Sequence, residues 1–444
     1  MSVSAIGLYV LAALFGSLDF FDMVLRVCFR RAHTKPPGAE QPTATSYPLE
    51  VGAFSPHQVR YHLEPYAIVV SVYNAEAELD EFLDTIRPYR SRLWVIDDAS
   101  TDDTCARLRQ AGVRCLRGTV NRKKPGALKT LVATLDPEIA TVVVLDPDTR
   151  ILDSGSGAVS DLERVIFEFQ RSGVAALCPR LTVRDEGLLT RFQQLEFWLS
   201  FNVGRYSLSD HCVTSGIAVY RRDALARALE KHSLSVYAED LKNAYLLLAE
   251  GERIYYDGRL TVETAGKPTW SSWFSQRVAW HFGLLKVYAE TLPDLLKCSG
   301  DRLFLRYHFI LYTGVFGILL HPLKMMACLL LMVSFAGGVD QLLHLGVVPH
   351  GTFTEPMYFL IAYLECSALL VVALATTPGD LANRRNIKLV PTVLLYFFYS
   401  AIHTFPITVG FLNWCSLRLV GRRVYRDHFQ DDATLRQQFS GARP

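Results

Sequence analysis

The stretch "VVVLDPDTRI" (Val142 to Ile151) decides how this chain is read. It is an apolar run rich in β-branched residues, which suits a buried strand. It stops abruptly at two carboxylates one residue apart, Asp146 and Asp148. Like charges that close repel unless a positive group sits between or beside them.

Upstream, the pattern that produces this strand repeats. "YAIVVSV" (66–72) is a first strand, followed by "EAELDEFLDTIRPY" at helical spacing. "RLWVID" (92–97) is a second strand, and "STDDTCARLRQAG" a helix with Ser100 or Thr101 as N-cap and Gly112 beyond its end. "VRCLRG" is a third strand, "KPGALKTLVATL" a helix and "TVVVLD" (141–146) the fourth strand. Strands alternating with helices predict an α/β fold, with a parallel sheet covered on both faces. Such sheets bind ligands at the carboxyl ends of their strands. Asp97 and Asp98 close the second strand, Asp146 and Asp148 the fourth, so all four carboxylates are expected on that edge. A strand-terminal aspartate is often only a turn residue, but two pairs on one edge suit a hard divalent cation bridging carboxylates and a diphosphate.

Composition sets the surroundings. Half of the 444 residues are hydrophobic, and the net charge is +2, which gives no electrostatic support to a nucleic-acid role. Nine cysteines without a C-x-x-C pair argue against a zinc ribbon or disulfide framework and suit a reducing compartment. The apolar excess collects at the two ends. Residues 1–31 are expected to form an N-terminal membrane helix rather than a cleavable signal, because the basic residues Arg26, Arg30 and Arg31 follow the apolar run. That order places the next domain in the cytoplasm. Asp19 and Asp22 keep an interfacial helix open as the alternative. The proline-rich segment 32–64 reads as a linker, 65–268 as the α/β domain and 269–306 as interfacial helices carrying Trp270, Trp273 and Trp280. Residues 307–426 form a C-terminal membrane region, and 427–444 a polar tail.

Within that region, runs near 307–338, 356–376 and 389–413 are each long enough to cross a bilayer. Basic segments at 383–388 and 418–426 both favour the cytoplasm although one run separates them. Either Pro391 and Pro406 break that run into a re-entrant hairpin, or the charge rule fails here. His308, His321, Glu365 and His403 lie in or beside apolar runs and either line a polar path or pair between helices.

The ordered set "VVSVYNAEAELDEFL … VIDDASTDDT … KPGALKTL … VLDPDT … YAEDLKNAYLLLAEG … SQRVAW" resembles the inverting family-2 glycosyltransferases, in particular the membrane-embedded processive synthases of cellulose, chitin and hyaluronan. The likeness covers roughly residues 66–282. It implies a GT-A fold: a Rossmann-like, mostly parallel sheet in the cytosol, flanked by transmembrane and interfacial helices. It also implies roles. Tyr73, Asp97 and Asp98 would hold the nucleoside, and Lys124 would sit near the diphosphate. Asp146 would contact the nucleotide sugar, and Asp148 would ligate Mg²⁺ or Mn²⁺. Asp240 matches the catalytic base, although Glu239 and Asp240 also suit the first turn of a helix on dipole grounds alone. Gly216 and Gln276 would stand on the acceptor side. Trp280 would stack on the acceptor, or else sit at the bilayer surface. The amphipathic segment "QQLEFW" (193–198) is a further candidate for the acceptor side.

The chain departs from that pattern in places. Ala279 stands where the family's Q-x-x-R-W has an arginine expected to bind diphosphate, leaving Arg277 or His281 as substitutes. Lys129 and Ser71 replace a usual asparagine and proline. The implied activity is a metal-dependent inverting hexosyl transfer from a nucleotide sugar, most simply a UDP-sugar, to a growing β-linked polysaccharide exported through the protein's own helices. Single addition to a lipid acceptor (ceramide or polyprenyl phosphate) and a non-catalytic assembly subunit are the alternatives. The implied setting is the plasma (inner) membrane, with export partner subunits or a homo-oligomer as open options.

Overall fold

The computed structural model describes residues 63–153, 160–184, 186–206, 208, 211–232, 238–298, 307–347 and 389–426, with isolated pairs between 359 and 371. The expected N-terminal helix, almost all of the linker, the basic segment 383–388, most of the run near 356–376 with Glu365, and the tail lie outside the described residues.

The first half follows the strand–helix alternation. β1 (Tyr66–Val72), β2 (Leu93–Asp97), β3 (Arg114–Arg117) and β4 (Thr141–Leu145) are joined by α1 (Glu76–Thr85), α2 (Thr104–Gln110) and α3 (Lys123–Thr134). Ile68, Val69 and Val70 are fully buried, as expected of a strand covered on both faces. α3 turns Leu128, Leu131 and Val132 inward at helical spacing.

Two boundaries differ from expectation. α1 stops at Thr85, and Arg87–Arg92 winds as a 3₁₀ segment with Pro88 in its first turn. α2 begins after Asp103 rather than at Ser100 or Thr101. The reason is local competition: Ser100 Oγ accepts from the Asn74 N–H at 2.9 Å, and Thr101 N donates to Asn74 Oδ1 at 2.8 Å. Both residues are spent on tying the β2 turn to the β1 turn.

The second half brings antiparallel strands into the mostly parallel sheet. It adds β5 (Thr149–Leu152), α4 (Asp161–Ser172), β6 (Ala176–Val183), α5 (Leu188–Trp198), β7 (Ala218–Arg221), α6 (Arg222–Lys231), α7 (Glu239–Ala249) and β8 (Ile254–Thr264). The eight strands are ordered β3-β2-β1-β4-β7-β6-β8-β5. β7 runs antiparallel to both β4 and β6, and β5 antiparallel to β8, so the sheet is mixed. Only residues 146–148 separate β4 from β5, which nevertheless lies four strands away. Four flat strand spacings span about 19 Å, whereas four peptide units reach at most about 14 Å. The sheet must therefore curl, and the Asp-Pro-Asp turn sits where the curl closes. Thr149 N and Oγ1 both donate to the Asp146 carbonyl at 3.1 and 2.6 Å, fixing that turn.

Three long helices follow: α8 (Trp270–Cys298), α9 (His321–Leu343) and α10 (Leu389–Val420). The run near 307–338 is divided, with a π-helical segment Tyr307–Leu319 preceding α9. No hairpin forms at 389–413. Pro391 falls in the first turn of α10, where its missing N–H costs nothing, and Pro406 lies inside a helix that continues to Val420. Among the described residues, α9 and the part of α10 from Thr392 are long and apolar enough to cross a membrane, by length and composition. α8 lies along α10: a Cβ at Gly410 would come 2.9 Å from the Val278 carbonyl, so only glycine permits this crossing without displacement.

Candidate active site

The carboxyl edge of the sheet gathers Asp146 and Glu239 around one cation. Lys124, in the first turn of α3, reaches Oδ1 of Asp146 at 2.5 Å and Oε1 of Glu239 at 3.1 Å. It also donates to the Gly216 carbonyl at 3.4 Å. The repulsion posed by "LDPD" is thus answered by a lysine twenty-two residues upstream of Asp146. Burial works against the charge of Lys124, yet Asp146 and then Glu239 hold it above the usual lysine range. Burial raises Asp146 above the usual carboxylate range, and Lys124 offsets only part of that.

Gly216 is fitted to this knot. A Cβ there would stand 2.6 Å from Asp146 Oδ2 and 3.3 Å from Lys124 Nζ. The glycine was expected to let an acceptor approach; here it lets the carboxylate and the ammonium approach the backbone.

Asp240 follows Glu239 in the first turn of α7. Its carbonyl accepts from Thr214 Oγ1 at 2.9 Å, and Thr214 Oγ1 is 3.1 Å from the Tyr220 hydroxyl, which fixes the helix start to β7. Burial, then the Glu239 carboxylate, push Asp240 up to about 6, with Lys124 pulling the other way. A carboxylate so tuned is a proton acceptor matched to near-neutral pH.

Asp148 ends the turn, and its Oδ2 accepts from Thr264 Oγ1 at 3.2 Å. Among the described residues no group of three or more His, Cys, Asp and Glu side chains could enclose a metal. A divalent ion that takes most of its ligands from a diphosphate and water needs only one or two carboxylates. Asp148, with Asp146 beside it, fits that demand.

Tyr73, Asp97 and Asp98 line the other side of the edge. Tyr73, just past β1, is 49% exposed. Asp97 is fully buried and turned inward: its Oδ1 accepts from Ser100 N at 2.9 Å, and Arg117 Nε stands 3.8 Å from Oδ2. Asp98 Oδ1 accepts from Arg122 N at 2.9 Å, which ties β2 to the start of α3. Burial raises the Asp98 carboxyl, and the Arg122 and Lys123 N–H groups counter it. Four of the non-glycine residues with positive φ flank this edge: Asn74, Ala99, Lys123 and Ala238, at 49, 68, 63 and 54°. Each such conformation costs about 1 kcal/mol or more, and clusters of them mark functional sites.

Gln276, Arg277 and Trp280 lie elsewhere, on α8. Arg277 is 2% exposed and pairs with Glu196 of α5 at 2.8 Å and with Gln276 Oε1 at 2.6 Å. Trp280 is 43% exposed and packs against Phe197 at 6.0 Å. Ala279 is buried against Phe282 and Leu417. His281 is buried beside His321, with ring centroids 5.7 Å apart. Neither substitute for the absent arginine therefore joins the Lys124 knot. Sequence reasoning treated Glu239 only as a first-turn acid and singled out neither Glu196 nor Tyr399. A buried-face glutamate within "QQLEFW" was the available signal for Glu196.

Comparison with known proteins agrees with this architecture. Residues 67–229 match the family described as Glycosyl transferase family 2. An N-acetylglucosaminyltransferase of Neorhizobium galegae is 26% identical over 245 residues, covering 52% of this chain and 52% of that protein. The chain thus spans about half the length of the curated relative it matches. A mannosyltransferase of Pyrobaculum calidifontis, solved with GDP-Man and Mn²⁺, superposes with a TM-score of 0.51 at 18% identity, covering 83% of this chain and 98% of that one. That likeness is one of fold, a GT-A-like mixed sheet.

Proposed function

We propose that the chain is an inverting glycosyltransferase that moves a sugar from a nucleoside diphosphate to an acceptor hydroxyl. The observation that carries the reading is the Lys124 knot, which brings Asp146 and the Glu239–Asp240 pair together at the ligand edge of the sheet. Tyr73 and Asp98 hold the nucleoside, with Asp97 shaping the turn beneath. Lys124 faces the diphosphate. Asp148 would hold a Mg²⁺ or Mn²⁺ ion, which when bound would supply charge stabilisation for the departing diphosphate.

The step is a single displacement. The acceptor oxygen forms a bond to C1 as the bond from C1 to the phosphate oxygen breaks. The diphosphate leaves with that electron pair, and Asp240 takes the proton of the acceptor hydroxyl. Arg277, tied to Glu196, belongs with Gln276 and Trp280 on the acceptor side. The length and apolar character of α9 and α10 support a membrane setting; the proposal puts the domain on the cytoplasmic side, with a growing β-linked polysaccharide as the acceptor. Single addition to a lipid is the competing outcome.

The test is a panel of radiolabelled UDP-GlcNAc, UDP-Glc and GDP-Man offered to membranes carrying the protein, with Mg²⁺ or Mn²⁺. Transfer is expected from one donor, with polymer on a gel. Single-sugar lipid would replace the polymer reading. Full transfer by a folded Asp240→Asn variant would remove the base assignment.

A further inference from the structure

The structure buries a second ionic group away from the Lys124 knot. Oε2 of Glu196 accepts from Arg277 Nη2 at 2.8 Å and from the Tyr399 hydroxyl. That hydroxyl accepts from Trp273 Nε1 at 2.8 Å. Trp273 and Tyr399 are each 1% exposed. One carboxylate on α5 thereby fastens the sheet domain to α8 and to the apolar helix α10. Burial alone would raise the Glu196 carboxyl, but Arg277, His403 and the Tyr399 hydroxyl together outweigh it and hold the group below its ordinary range.

Buried ion pairs are a weak source of stability, since a matched apolar set often does as well. What they supply is direction. Here the direction is visible in the next ring: the Arg277 guanidinium lies over Trp280, 4.1 Å from its centroid. Phe197, the residue after Glu196, contacts the same indole. The ring is gripped by Arg277 and Phe197 yet keeps part of its surface open to solvent.

We infer that Glu196 is a positioning residue for the acceptor. Through Arg277 it sets the Trp280 ring against which a saccharide acceptor lies, and through Tyr399 it ties that setting to α10. The inference rests on the glycosyltransferase reading and deepens it. Without the Glu196 charge, Arg277 would keep a buried positive charge with Gln276 as its partner, and would turn toward water, taking the support of Trp280 with it.

Membranes carrying the full chain and the radiolabelled donor that the wild type uses give two outputs: sugar transferred to product and sugar released to water. Transfer needs the acceptor platform; hydrolysis needs only the donor pocket and base. For Glu196→Gln the ratio of transfer to hydrolysis is expected to fall about 10- to 100-fold, as a misplacement of about 1 Å does. Hydrolysis should stay within about twofold of wild type. Glu196→Asp, which keeps the charge, should recover part of the ratio. Tyr399→Phe keeps the ring stacked on Phe192 at 5.0 Å and should lower the ratio by less; it decides the matter if Glu196→Gln does not accumulate. An unchanged ratio, or transfer and hydrolysis falling together, overturns the inference. A wild-type chain that neither transfers nor hydrolyses any donor overturns the enzyme reading itself, which is a different result.

Discussion

A methyl group on Gly216 would stand 2.6 Å from Oδ2 of Asp146, a carboxylate already pinned by Lys124. Gly216→Ala should therefore push the carboxylate off the lysine. We expect at least about a tenfold loss of transfer, with a stability cost of about 1–3 kcal/mol from overpacking. Initial rates and a thermal melt on the same preparation check both.

The pH profile follows from Asp240. A general base works as the carboxylate, so kcat/KM should fall as pH drops through about 6 and level off above it. Glu239 raises Asp240, and its removal also leaves Lys124 freer to favour the charged base. Glu239→Gln should therefore move the acid limb to lower pH. A limb that stays or rises contradicts the arrangement.

Lys124→Met should be worse than the loss of one ion pair. Asp146 and Glu239 would then face each other without a cation, at a cost of about 2 kcal/mol in stability. Donor binding should weaken as well, read as a raised KM for the nucleotide sugar. Lys124→Arg keeps the charge but not the compact ammonium, and should recover stability more than donor binding.

Chelation should abolish transfer, with Mn²⁺ or Mg²⁺ restoring it. Asp148→Asn should raise the metal concentration needed for half-maximal rate, because one carboxylate carries a large share of a sparse ligand set. A metal titration of the two proteins measures the difference.

Gly410→Leu tests the crossing of α8 and α10. Its side chain would meet the Val278 carbonyl at 2.9 Å and the Phe282 nitrogen at 3.2 Å. A loss of about 1–3 kcal/mol is expected, seen as a lower melting temperature or reduced accumulation. Leu412, which is 44% exposed on the same helix, should tolerate Leu412→Ala within about 0.5 kcal/mol.

The amino-acid sequence by itself determined the first half of the sheet. Apolar runs such as "VVVL" and the helical spacing between them are local signals, and β1 to β4 lie where those signals put them. It also determined that acids would end β2 and β4, because strand ends and turn residues are set by neighbours in the chain. Tertiary structure decided the rest. β5 to β8 pair across long separations, so nothing local announces that β7 reverses direction or that β5 closes on β8. What each acid binds was equally hidden: Asp97 and Asp98 are neighbours in sequence and both buried, yet Asp97 accepts from the Ser100 N–H and Asp98 from the Arg122 N–H. The sequence suggests Arg277 as a cation for the diphosphate, but in the fold it pairs with Glu196, eighty-one residues away. A charge goes where its counter-charge is held, and only the folded chain fixes that place.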